Sequence, residues 1–136
     1  MLLLEGCASE LEFTADPSEM LRRLGDVCLP AMDAVLDQPA VLAIREGSHH
    51  EVTVTLDDAE ACVRAGVAGD ANVSDVVASL VDPDGMVHAG SETRAPVSLV
   101  GPQGPICLAG PGKAKVQVVA RHGSGKVAVQ VWAARR

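Results

Sequence analysis

Two periods of hydrophobic residues divide this chain. Within residues 11 to 37, Met20, Leu21, Leu24 and Cys28 recur at helical spacing and define one apolar face. Asp16 stands where an N-cap belongs, with Pro17 in the first turn and Glu19 three residues after the cap. Gly25 and Pro30 are expected to break the segment into two short helices, since proline cannot donate to the preceding turn. The apolar face is expected to pack on whatever sheet follows.

From about residue 41 the period becomes two. "EVTVTL" alternates Val52, Val54 and Leu56 with Glu51, Thr53 and Thr55, the pattern of a half-buried strand. "KVQVVA" and "KVAVQVWA" repeat it with Val116, Val118 and Ala120, then Val127, Val129 and Val131. The link between them, "RHGSG", reads as a hairpin. Further strands are expected at 60–68, 75–81, 86–90, 97–100 and 105–109. About eight short strands separated by Gly, Pro, Asp and Asn predict an antiparallel β-sandwich over residues 47–136. Residues 1–46 form an N-terminal segment with one or two short helices packed on it.

Composition narrows the function. Its 136 residues suffice for one domain with a real core. The net charge of −7 and the scattered Lys and Arg argue against nucleic-acid binding, as does the near absence of aromatic residues for stacking on bases. No apolar run is long enough to span a bilayer. Tyr is absent, and Phe13 and Trp132 are the single Phe and Trp. Carbohydrate recognition through aromatic platforms therefore loses ground, leaving Trp132 as the candidate for ligand contact.

Cys7, Cys28, Cys62 and Cys107 show no CxxC spacing, which disfavours metal knuckles and dithiol redox motifs. Two disulfides or small buried thiols are the readings left. Chain order suggests Cys7–Cys28 and Cys62–Cys107, and disulfides imply an extracytoplasmic compartment. The start, "MLLLEGCASE", has three leucines but no basic leader and is interrupted by Glu5. A degraded lipoprotein box is thus disfavoured, leaving either a leader already removed or an ordinary apolar strand, and the strand is the preferred reading.

Three stretches, "VSDVVASLVDPDGMV", "CLAGPGKAKVQVVA" and "RHGSGKVAVQVW", in that order and spacing resemble the bacterial pre-peptidase C-terminal domain. The resemblance covers about residues 47–134 and implies a jelly-roll-like sandwich appended to secreted proteins. It also implies a non-catalytic role in secretion, stability or surface binding. Lys113-Ala114 stands where family members often carry a Tyr at the entry to the penultimate strand. Cys62 and Cys107 look like a secreted variant's tie between the strand at 60–68 and the loop before the last two strands.

Specific sites are few. Asp82 and Asp84, with Asp75 and Asp70, could offer oxygens to Ca²⁺. Asp82-Pro83-Asp84-Gly85 is also what a type I turn selects, and the turn is the preferred reading. His49 and His50 would face opposite sides of a strand, and His88 and His122 lie on other segments, so convergent zinc ligation is disfavoured. Ser124 lies in "HGSGK", which is neither a nucleophile elbow nor a P-loop. Asn72-Val73-Ser74 fits a glycosylation sequon. The sequence thus predicts a non-enzymatic, extracytoplasmic accessory or binding module for a protein or cell-surface ligand, without a required cofactor. The alternative is an assembly subunit that docks through a strand edge or its N-terminal helix.

Overall fold

The computed structural model describes residues 16–57, 60–88, 91–94, 97–101, 105–109 and 111–134, with the backbone alone at 91–94. The helix α1 runs from Pro17 to Cys28. Asp16 caps it as expected: its Oδ1 accepts from the N–H groups of Ser18 (3.0 Å) and Glu19 (3.4 Å). Glu19 then points along the helix to Arg22 (2.8 Å) and Arg23 (3.4 Å). The Leu29 N–H closes the last turn on the Gly25 carbonyl, and Pro30 ends the helix.

Eleven strands follow among the described residues. They are β1 (Met32–Ala34), β2 (Ala40–Ile44), β3 (His49–Leu56), β4 (Glu60–Gly69), β5 (Val73–Val81) and β6 (Val87–His88). Then come β7 (Ser91–Arg94), β8 (Val97–Val100), β9 (Ile106–Ala109), β10 (Gly112–Gly123) and β11 (Gly125–Ala134). All pairings are antiparallel. One sheet has the order β1-β11-β4-β8-β7, with β2 also on β11 and β9 also on β4. The other has the order β3-β10-β5-β6. The result is the expected mainly β, jelly-roll-like sandwich with a short helical element.

Alternation builds the core. Val54, Leu56, Val76, Ala78, Leu80, Ala114, Val116, Val118 and Ala120 of the four-stranded sheet meet Val63, Ala65, Val67, Val127, Val129 and Val131 of the larger one. With so little aromatic bulk, the two layers are filled by β-branched and small side chains. The larger sheet hides its other face as well. Ala68, Val97, Leu99, Ala128 and Trp132 pack against Met20, Leu21 and Leu24 of α1 and against Leu29. A strand covered on both sides reads as a continuous buried run, and β4 is one, buried without a break from Val63 to Gly69.

Three local expectations change. α1 passes through Gly25 as one helix instead of breaking there, because Gly25 gives room to a ring packed against it. Residues Met32–Ala34 and Ala40–Ile44 are strands bonded to β11, so the segment before residue 46 contributes to the sandwich as well as carrying the helix. Finally, "RHGSG" is not a hairpin. β10 pairs with β3 and β5, whereas β11 pairs with β1, β2 and β4. The link crosses from one sheet to the other.

Candidate functional site

Two further crossings join the β10–β11 crossing at the same end of the sandwich: β2 to β3 through Arg45–Ser48, and β4 to β5 through Asp70–Asn72. Carboxylates stitch the three together. Glu46 Oε1 accepts from the Gly123 N–H (2.8 Å), while the Glu46 N–H donates to Ser124 Oγ (2.8 Å). Asp70 Oδ1 accepts from Asn72 N–H and Oδ2 from Lys126 N–H, both at 2.9 Å. Gly123 (φ +93°) abuts the Asn72 carbonyl, and a Cβ on Gly125 would lie 2.5 Å from Asp70 Oδ1. Ser124 and Asp70 therefore belong to a structural knot, while His122 beside it is exposed. Asn72 is exposed at its surface.

The acidic turn is a corner, as preferred. The Gly85 N–H donates to the Asp82 carbonyl (2.9 Å), Gly85 takes φ +89°, and β5 and β6 pair on either side. Asp82 Oδ1 accepts from the N–H groups of Asp84 (2.9 Å) and Met86 (2.8 Å), and Oδ2 lies 3.2 Å from His88 Nε2. The Met86 amide, then His88 and the Asp84 amide, hold the Asp82 carboxyl below its ordinary value against a smaller opposing effect of burial. Asp75 lies near the far end of β5, where it faces Arg121 at 3.7 Å. Nearly a full strand, about 3.3 Å per residue, separates it from Asp82. Asp82, Asp84 and Asp75 are not brought together, and no metal-binding group of three or more His, Cys, Asp or Glu forms among the described residues.

Cys62 and Cys107 are disulfide-bonded across β4 and β9, where they stand directly opposite in register. Cys28 is also disulfide-bonded; Cys7, its expected partner, lies outside the described residues. Trp132 is a correction to the ligand-contact expectation. It is only 4% exposed and sits between α1 and β4. Beside it opens a groove of about 430 Å³, rimmed by Arg22, Asp26 and Asp33 and floored in part by Gln130. Gln130 is itself committed, donating to the Leu36 carbonyl (3.0 Å) and accepting from the Leu36 N–H (3.1 Å).

Among the described residues, no element covers the outward face of the four-stranded sheet. None of its side chains is fully buried, in contrast with both faces of the larger sheet. Its centre is a polar row spanning three strands in register. Ser79 Oγ donates to Gln117 Oε1 (3.3 Å), and Gln117 Nε2 donates to Glu51 Oε2 (3.1 Å). On one side lie Thr53, Lys115 and Val81, then Thr55 and Lys113; on the other lie His49, Val119 and Val77, then Arg121 and Asp75. Lys113, Lys115 and Arg121 against Glu51 and Asp75 make this face net positive (3 − 2 = +1) on a chain of net charge −7. The alternation "EVTVTL" and "KVQVVA" announces two of the strands, but only register aligns Glu51, Gln117 and Ser79.

No family model matches the chain, and no curated protein matches it in sequence. Several solved structures share part of its shape. A lipase from Bacillus licheniformis in its propeptide form is 15% identical, with a TM-score of 0.45 over 75% of this chain and 23% of that one. A low-affinity xylan-binding module from Roseburia intestinalis is 14% identical, with a TM-score of 0.40 over 76% of this chain and 83% of that one. A carbohydrate-binding module of a Cellvibrio mixtus lichenase, in complex with cellotriose, is 11% identical, with a TM-score of 0.34 over 77% and 86%. The chain spans 23%, 17% and 16% of the length of the first three solved structures it matches.

Proposed function

We propose that this chain is a non-catalytic, extracytoplasmic accessory module that binds an anionic surface or partner through the outward face of its four-stranded sheet. The uncovered polar row Glu51–Gln117–Ser79, flanked by Lys113 and Lys115, carries the reading. Cross-strand hydrogen bonds hold these side chains in place before any ligand arrives, which lowers the ordering cost of binding. The positive excess on an otherwise acidic molecule favours negatively charged partners and repels a second such face. The resemblance to pre-peptidase C-terminal domains points the same way, as does the Cys62–Cys107 disulfide, a bond that persists in oxidising compartments. The non-catalytic reading is supported by how the candidate groups are used: Ser124 Oγ and the Asp82 carboxylate are both occupied by backbone amides.

Affinity electrophoresis tests it, in gels cast with polygalacturonate as anionic carrier and xylan as neutral carrier. Salt-sensitive retardation by the anionic carrier, lost in a Lys113→Glu/Lys115→Glu variant of unchanged melting temperature, is expected. Equal retardation of the two proteins in every carrier, each measured against its own mobility in a carrier-free gel, would remove the proposal.

A further inference from the structure

A strand at the border of a sheet presents unpaired amides and carbonyls, and proteins blunt such borders by shortening, charging, bulging or covering them. Most borders here are blunted. β6 has two residues, β1 three, β7 and β9 four each, and β2 five. The part of β5 beyond β6 is longer, but it packs against β7 and β8 and carries Asp75. β3 is the exception. It has eight residues, pairs with β10 alone among the described residues, and keeps an unbroken register from His49 to Leu56. It has no Pro, Lys, Arg or bulge, and Glu51 is its one carboxylate. His49, His50, Glu51, Thr53 and Thr55 are exposed, so no described element lies over the border.

We infer that the β3 border pairs with the β3 border of a second copy of this chain, joining two four-stranded sheets into one. The strand is self-complementary. Outward residues must face outward residues across an antiparallel pair, so a two-fold axis at Val52 or at Thr53 gives the acceptable registers. With the axis at Val52, Glu51 faces Thr53, His49 faces Thr55 and Val52 faces itself. With the axis at Thr53, Glu51 faces Thr55 and Val52 faces Val54. Neither sets Glu51 against Glu51, and both oppose β-branched pairs, the combination that stabilises antiparallel ladders. An isologous contact of this kind closes at two copies and leaves no further β3 border for growth. It also places two polar rows in one continuous surface. The inference concerns the border and stands independently of the binding reading of the face.

Sedimentation equilibrium of the intact, disulfide-bonded chain from micromolar to millimolar concentration is expected to show a monomer–dimer equilibrium. Amide exchange should slow with concentration in residues 49–56 and nowhere else. The exposed double substitution Glu51→Lys/Thr53→Lys opposes lysines in either register. It should weaken the dimer at least about tenfold, at about 1.4 kcal/mol per factor of ten, on top of a lower melting temperature of the monomer, because the change opposes Lys115 with a second lysine and removes the Glu51–Gln117 bond. A monomer at every concentration would overturn the inference. So would concentration-dependent protection elsewhere, or undiminished dimerisation of the double variant. Protection of β3 by an added Thr/Val-alternating peptide, with none from its own copy, would also overturn it and assign the border to a peptide partner.

Discussion

Gly25 lies so close to the Trp132 indole that a methyl group on its Cα would stand 2.7 Å from Nε1. Gly66 of β4 does the same from below, where an added Cβ would be 2.7 Å from Cζ3. The single tryptophan is therefore clamped between two glycines, one on the helix and one on the sheet. Alanine at position 25 should gain about 1 kcal/mol of helix propensity. Because Gly66 backs the ring on its opposite side, overpacking of about 1–3 kcal/mol should outweigh it. Urea denaturation of Gly25→Ala and Gly66→Ala, followed by the fluorescence of Trp132, should show lower midpoints and altered native emission in both. Equal or higher stability of the two variants would show that the ring is not clamped.

The Cys62–Cys107 bond closes a loop with a sequence separation of 45. Removing that constraint from the unfolded chain should cost about 4 kcal/mol by the loop-entropy relation. Cys62→Ala/Cys107→Ala should lose stability of that order, and a reductant should then destabilise it less than the parent by the same amount, the Cys28 disulfide being reduced in both.

Asp82 gives a pH dependence with a definite sign. Its carboxyl is held below its ordinary value chiefly by the Met86 amide, so the folded state binds the proton more weakly than the unfolded state does. Its stabilising contribution is full above the ordinary carboxylate range and disappears as pH falls through the depressed value. Thermal melts from pH 7 down to pH 2 should show Asp82→Asn with a shallower acid decline than the parent. Parallel curves would remove Asp82 from the acid response.

Calcium should leave the melting temperature unchanged at millimolar concentration. Asp82 Oδ1 already serves two backbone donors and Oδ2 lies against His88, while Asp75 faces Arg121 far along β5. A rise that disappears in Asp84→Ala would reinstate the turn as a cation site.

Asp70 joins two sheet crossings by accepting from Asn72 and Lys126. Asp70→Ala leaves those exposed amides to water and should destabilise the fold by about 1 kcal/mol, the net worth of the lost hydrogen bonds. Amide exchange at Lys126 should accelerate more than at Val116, deep in β10. Uniform acceleration would mean that Asp70 acts on the whole fold and not on the crossings.

The parts of the fold legible in sequence are those settled by neighbours along the chain. Asp16 caps because its acceptor reaches amides two and three residues on. Asp-Pro-Asp-Gly turns because its own side chain and proline close it. Period-two valines make strands wherever one face is buried. The misread features depend on distant partners. A glycine-bearing link suits a hairpin and a sheet crossing equally, and "RHGSG" becomes a crossing because β3, β5, β1, β2 and β4 claim its two arms separately. Trp132 looks like an isolated aromatic until Gly25 and Gly66 are placed around it. The polar row was illegible for the same reason, since Glu51, Gln117 and Ser79 meet only through register.

The two strands that hold each sheet together, β10 and β11, follow all their partners in the chain. A ribosome or a secretion channel would therefore release β3, β4 and β5 with their principal pairing sides bare. Neither layer can close until residues 112–134 emerge. Such late, long-range closure is slow and leaves valine-rich strands open to aggregation in the interval. Shielding of the nascent chain should thus govern its yield more strongly than the stability of the finished sandwich.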